Sequence, residues 1–169
     1  MQLPTRPMVF FGHSLGAMLA FELSRELRDR GASLPVHLVV SSRSGPTVPD
    51  PRPPLHGLSD DAFIEAMSSR YGGIPDVILR APELLQIFLP ALRADMTLHE
   101  THRHTASSPL PVPISAWCGR ADPAVSADAL ASWGAQTSVS FSQRWFDGGH
   151  FYIQPQSGEV LDALAALAG

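Results

Sequence analysis

The chain has 169 residues, 44% of them hydrophobic, and a formal net charge of −4. That is enough for one sizeable core, with no apolar run near the ~20 residues of a membrane span, and the scattered arginines, with no lysine beside them, offer no basic field for nucleic acid. Cys118 is the only cysteine, which excludes an internal disulfide and lends no support to a cysteine-based metal site.

In chain order, Met1-Gln2-Leu3-Pro4-Thr5-Arg6-Pro7 has neither the apolar stretch nor the cleavage site of a secretory leader, so a cytoplasmic location is expected. Met8-Val9-Phe10-Phe11 reads as a strand and runs into Gly12-His13-Ser14-Leu15-Gly16, a G-x-S-x-G nucleophile elbow. Both glycines are expected because the turn is too tight for a Cβ on either side. Leu15, Leu19, Leu23 and Leu27 then repeat at helical spacing, Arg28 and Arg30 suit the negative end of the dipole, and Gly31 supplies the stop.

Val36–Ser41 reads as a buried parallel strand, and the prolines from Pro46 to Pro54 make residues 44–55 a stiff connection. Two helices are predicted next: Asp60–Tyr71, capped by Ser59 and stopped by Gly72-Gly73, and Pro82–Met96, with a kink at Pro90. They form an inserted helical lid, bounded at residues 56–105. Its Phe63, Met67, Leu84, Leu85, Phe88, Leu89 and Met96 either line an acyl pocket or pack the lid onto the core. Strands resume at Ile114–Cys118, where Cys118 serves as a small buried hydrophobe, and at Val139–Phe146; Val160, Leu161, Leu164 and Leu167 mark a C-terminal helix covering one sheet face. The whole, residues 1–169, reads as a single α/β domain.

A serine hydroxyl needs a base within hydrogen-bond reach and an acid to orient that base, in the chain order Ser, Asp or Glu, His for this elbow. Asp122 follows the Ile114–Cys118 strand and His150 follows the next, so both fall at strand ends, where an open parallel sheet gathers its catalytic groups. Ser14, Asp122 and His150 are therefore the expected triad, and the Leu15 backbone N–H is the expected oxyanion donor. Asp147 lies too close in sequence to His150, and Asp128 starts a helix. Among the other histidines, His13 diverges from its neighbour on the elbow and His37 and His56 lack an acid partner. His99, Glu100, His102 and His104 admit a metal-ligand reading, but a solvated loop is the better account. No metal and no cofactor is called for.

These residues resemble the discrete type II thioesterases of nonribosomal peptide and polyketide synthesis. Phe11–Ala17 with Ala20-Phe21-Glu22 is similar to that family's nucleophile segment, Leu89–Asp95 to its lid signature, and Gly148-Gly149-His150-Phe151 to its histidine loop; Asp122-Pro123 and Trp133, in the helix beyond, also match. The resemblance implies an α/β-hydrolase fold and hydrolysis of acyl groups from the phosphopantetheine arm of acyl or peptidyl carrier domains, removing stalled or aberrant units, with no nucleic-acid or membrane partner. It also implies that several strands and helices precede the elbow, including a loop that supplies a second oxyanion N–H, whereas only seven residues precede Met8. The expectation is the C-terminal part of such a domain, a poor catalyst and a poor monomer, with an open sheet edge that invites self-association or an N-terminal fragment. A carboxylesterase or lipase of the same fold, or a non-catalytic interaction module, is the alternative.

Overall fold

The computed structural model describes residues 7–72, 74 and 76–168. Met1–Arg6 and Gly73 therefore lie outside the described residues. Strand β1 (Val9–His13) is followed by helix α1 (Leu15–Asp29), β2 (His37–Ser41), α2 (Asp60–Tyr71), α3 (Asp76–Leu79) and α4 (Pro82–Thr101). Then come β3 (Ile114–Gly119), α5 (Ala127–Ala131), a 3-10 turn (Ser132–Gln136), β4 (Phe141–Phe146) and α6 (Ser157–Ala168). The strands form one parallel sheet in the order β1-β2-β3-β4. Phe11 pairs with Val39 and Val40 with Ala116.

Because successive side chains alternate across a strand, the central strands feed two cores. Leu38, Val40, Ile114, Ala116 and Cys118 face α1 and the α5 region, packing with Ala17, Phe21, Leu130 and Trp133. Val39 and Trp117 face the other way, with Phe146, Tyr152, Val160 and Ala163. α6 thus covers one face as expected, although Leu161 points outward. β1 is an outer strand, and its far edge pairs with no other strand among the described residues.

The helix after the elbow forms as predicted, but its leucines are not the core stripe. Leu19 and Leu23 are exposed, and the buried residues are Ala17, Met18, Phe21 and Ser24. A four-residue repeat fits one helix face as well as another, and the face against the sheet is the one whose small Ala17 permits close approach.

The helices of residues 60–101 carry a separate small core. Phe63, Leu89 and Met96 bury one another together with Leu55, and Met67 packs against them. Arg93 clamps the group: its guanidinium donates to the His56 and Leu58 carbonyls at 2.7 Å each and to Asp60 at 2.7 Å, and it lies over the Phe63 ring. Helix α4 passes through Pro90 and continues to Thr101, five residues beyond the sequence expectation. His99 and Glu100 are consequently helical, not part of a solvated loop. No sequence pattern signals the short α3. None of these helices, nor any other among the described residues, is long and apolar enough to cross a membrane.

Candidate active site

Ser14 sits between β1 and α1 with φ 54° and ψ −115°, a conformation that non-glycine residues rarely adopt. Its N–H donates to the Ser41 carbonyl at 2.7 Å, fixing the elbow against the end of β2. A Cβ on Gly12 would collide with the Gly16 carbonyl, so that glycine is obligatory. Gly16 differs: a Cβ there meets open space, and tightness does not account for it. The turn crowds on its strand side alone. The first N–H groups of α1, Leu15 among them, have no intrahelical acceptor and lie beside the serine.

Asp122 and His150 lie beyond the carboxyl ends of β3 and β4. The loops bearing them are pinned together: Arg120 N–H donates to the Phe146 carbonyl and Ala121 N–H to the Gly148 carbonyl, both at 2.9 Å. A Cβ on Gly119 would strike the Gly148 and Gly149 carbonyls, so only glycine allows this approach. His150 Nδ1 is 2.9 Å from Asp122 Oδ2, and both side chains are almost wholly buried. The other carboxylate oxygen accepts the Ala124 N–H at 2.8 Å. Burial by itself would raise the Asp122 carboxyl, but the hydrogen bond and charge of His150, with the Ala124 amide, hold it below the ordinary carboxylate range. Asp147 instead faces solvent beside Arg120.

Ser14 and His150 line one cavity of about 1190 Å³. No side chain hydrogen-bonds Ser14 Oγ among the described residues, and the serine and His150 share only the lining of this cavity. Such contacts are often long before substrate arrives. The Tyr71 ring, at the end of α2, lies 4.9 Å from that of His150.

His13 is half-buried and does not line the cavity. Its Nδ1 is 2.8 Å from Ser41 Oγ, which in turn is 2.7 Å from the Tyr152 hydroxyl. Burial, reinforced by the nearby His150, lowers its pKa to about 4. His37 bonds Ser115 and has no acid partner. His56 does have one: its Nδ1 is 2.6 Å from Glu100 Oε2, because the extended α4 brings that carboxylate under residues 55–56 to accept their backbone N–H groups. The metal-ligand reading of His99, Glu100, His102 and His104 has no common centre; His99 meets Arg43, and His102 and His104 face Glu22. No cluster suited to a metal occurs among the described residues.

Three residues of the site escaped sequence reasoning, Ser42 and Arg43 after β2 and Tyr71 at the end of α2, while His99 was weighed only as a metal ligand or loop residue. The first two follow a strand end, the signal that did find Asp122 and His150. For the lid, the seven apolar side chains considered for an acyl pocket do not line the cavity. Phe63, Met67, Leu89 and Met96 pack the small core and Leu84 and Phe88 point outward, whereas the side chains this region turns toward the site, Arg70, His99 and Glu100 among them, are polar.

A parallel sheet with a serine elbow, and with an acid and a histidine at later strand ends, is the α/β-hydrolase arrangement. The chain belongs to the thioesterase domain family, which matches residues 1–167. It is 35% identical over 158 residues to the gramicidin S biosynthesis protein GrsT of Aneurinibacillus migulanus, covering 94% of this chain and 61% of that protein. It is 39% identical to the thioesterase PikA5 of Streptomyces venezuelae, covering 94% and 56%. Among solved structures it resembles ClbQ of the colibactin pathway (TM-score 0.90, 30% identity, 98% of this chain and 70% of that one). The type II thioesterase BorB of the borrelidin cluster is also similar (TM-score 0.84, 33% identity, 96% and 66%). The chain spans less than two thirds of the length of those two curated relatives.

Proposed function

We propose that the protein hydrolyses acyl thioesters carried on the phosphopantetheine arm of carrier domains, with Ser14 as nucleophile, His150 as base and Asp122 as orienting acid. The observation that bears most weight is the buried His150–Asp122 pair opening onto the same cavity as a serine held at positive φ. With Nδ1–H given to Asp122, Nε2 of His150 is left free to take the Ser14 proton. Ser14 Oγ then bonds to the thioester carbonyl carbon, and the oxyanion that forms is met by the Leu15 N–H. Collapse breaks the C–S bond, and the thiolate leaves with the proton from His150. Water, deprotonated by the same imidazole, next releases the acyl group from Ser14 as a carboxylate. Residues 56–105 act as the lid over this cavity.

The test is hydrolysis of acyl-pantetheine thioesters beside matching oxygen esters, with a serine-reactive phosphonate and mass analysis of the labelled residue. Faster thioester cleavage and labelling at Ser14 are expected. Preference for the oxygen ester would make the protein an esterase, and absence of labelling would make it a non-catalytic module.

A further inference from the structure

Ser41 ends β2 directly opposite His13 on β1, so both side chains lie on the same face of the sheet. Its Oγ is 2.8 Å from His13 Nδ1 and 2.7 Å from the Tyr152 hydroxyl, and Ser41 and Tyr152 are fully buried. A side-chain path therefore joins the residue before Ser14 to a residue just after His150. It crosses β2 at Ser41.

Counting protons gives this path a direction. The Tyr152 hydroxyl has no other hydrogen-bond partner among the described residues, so it donates to Ser41 Oγ. Ser41 has one proton, which then goes to His13 Nδ1. His13 is left as a neutral ring with its own proton on Nε2, in keeping with a pKa that burial, and then the charge of His150, lower to about 4. The reverse order would strand the buried Tyr152 proton, while His13 Nε2 has no partner in either order.

The rest of the site shows why the path matters. The Asp122 and His150 loops are pinned to each other through the Phe146 and Gly148 carbonyls, and the Ser14 N–H pins the elbow to β2. What joins these two units is slight. Among the described residues, the loop after β4 reaches β2 by the Tyr152 bond to Ser41 and by a longer one, 3.3 Å, from Ser42 Oγ to the His150 carbonyl. The His13 ring packs 5.1 Å from that of His150.

We infer that Ser41 is a positioning residue: its hydroxyl, accepting from Tyr152 and donating to His13, holds the loop of His150 in register with the elbow of Ser14. The inference rests on the thioesterase reading above.

Ser41→Ala should lower kcat for acyl-pantetheine hydrolysis about 10- to 100-fold while KM stays within about twofold, as expected when a base is slightly misplaced from its nucleophile. Tyr152→Phe breaks the path at its other end with the ring kept, so it should cost a comparable loss, and the double variant little more. NMR of the histidine rings supplies a readout apart from turnover. His13 should be neutral with its proton on Nε2 near neutral pH, and cross-relaxation between the His13 and His150 ring protons should weaken in both single variants. A His13 proton on Nδ1, or a kcat and ring contact that neither substitution alters, overturns the inference. So does a loss in Ser41→Ala that Tyr152→Phe does not share, which would make Ser41 a packing residue. Should Ser41→Ala fail to fold, Tyr152→Phe decides by the same two measurements. Failure of the unsubstituted chain to cleave acyl-pantetheine would refute the thioesterase reading and leave the ring contact to decide this one.

Discussion

The Tyr71 ring lies 4.9 Å from the His150 imidazole at 55°, so the last residue of α2 touches the proposed base. Arg52 covers the same ring at 5.8 Å. The Tyr71 hydroxyl is buried and makes no well-formed hydrogen bond among the described residues, with the Arg70 guanidinium its nearest polar neighbour. Removing an unsatisfied polar group costs little, whereas removing the ring leaves a void beside His150. Tyr71→Phe should therefore hold stability within about 0.5 kcal/mol or raise it, and Tyr71→Ala should cost ~2 kcal/mol or more. Urea denaturation of both variants checks this. A large loss in Tyr71→Phe would mean that the hydroxyl has a partner in solution.

The proposed triad should fail as a unit. Ser14→Ala and His150→Ala are each expected to lower kcat for thioester hydrolysis by ~10⁴-fold or more, and the double variant by little further. Asp122→Asn should cost ~10⁴-fold, since the amide leaves the His150 tautomer wrongly fixed. Near-normal turnover in Asp122→Asn would transfer the acid role, and Glu100, already paired with His56, is the group to examine next.

The strand ends were legible because they depend on local order: an apolar run, a glycine turn, then Ser14, Asp122 or His150. Helix α2 was legible to the residue, having Ser59 before it and Gly72 in the left-handed conformation after it, although Ser59 makes no side-chain cap. What the sequence hid was set by tertiary contact. Nothing in Leu15–Leu27 says which helix face meets the sheet, and nothing near His99 says that α4 continues, since Glu100 in its last turn is held by amides 44 and 45 residues away. Arg43 differs, since it follows the end of β2 and only its contact with His99 was set by tertiary structure.

Cys118 lies fully buried, 3.6 Å from Asp122 Oδ2. Burial, and then the carboxylate charge, push its thiol up to about 12, so almost no thiolate exists near neutral pH. Iodoacetamide should leave the native chain unmodified and alkylate Cys118 only as urea unfolds it, following the unfolding curve. Rapid alkylation under native conditions would mean that the Asp122 loop opens readily.

Stability should fall as the solution is acidified below neutrality, because of two half-buried imidazoles, His13 and His99. Burial first, then the charge of His150 for His13 and of Arg43 for His99, lower both folded pKa values to about 4, against 6.5 for a free histidine. Between those values the unfolded chain binds protons that the folded chain refuses, so stability rises with pH across that window and is lost as pH falls through it. The loss should reach roughly 2 kcal/mol for each group by pH 5. His37 and His104, both also lowered by burial, act in the same direction. Asp122 adds a separate loss at lower pH, because its folded carboxyl is held below the ordinary value and its contribution disappears only as pH falls through that depressed pKa. Urea midpoints at pH 7.5, 6 and 5 measure the first window, and His99→Gln should remove its own part of the slope while leaving that of His13. A midpoint that does not change between pH 7.5 and 5 would show that both rings accept protons in the folded protein, and Arg43 would then face a charged His99 instead of a neutral acceptor.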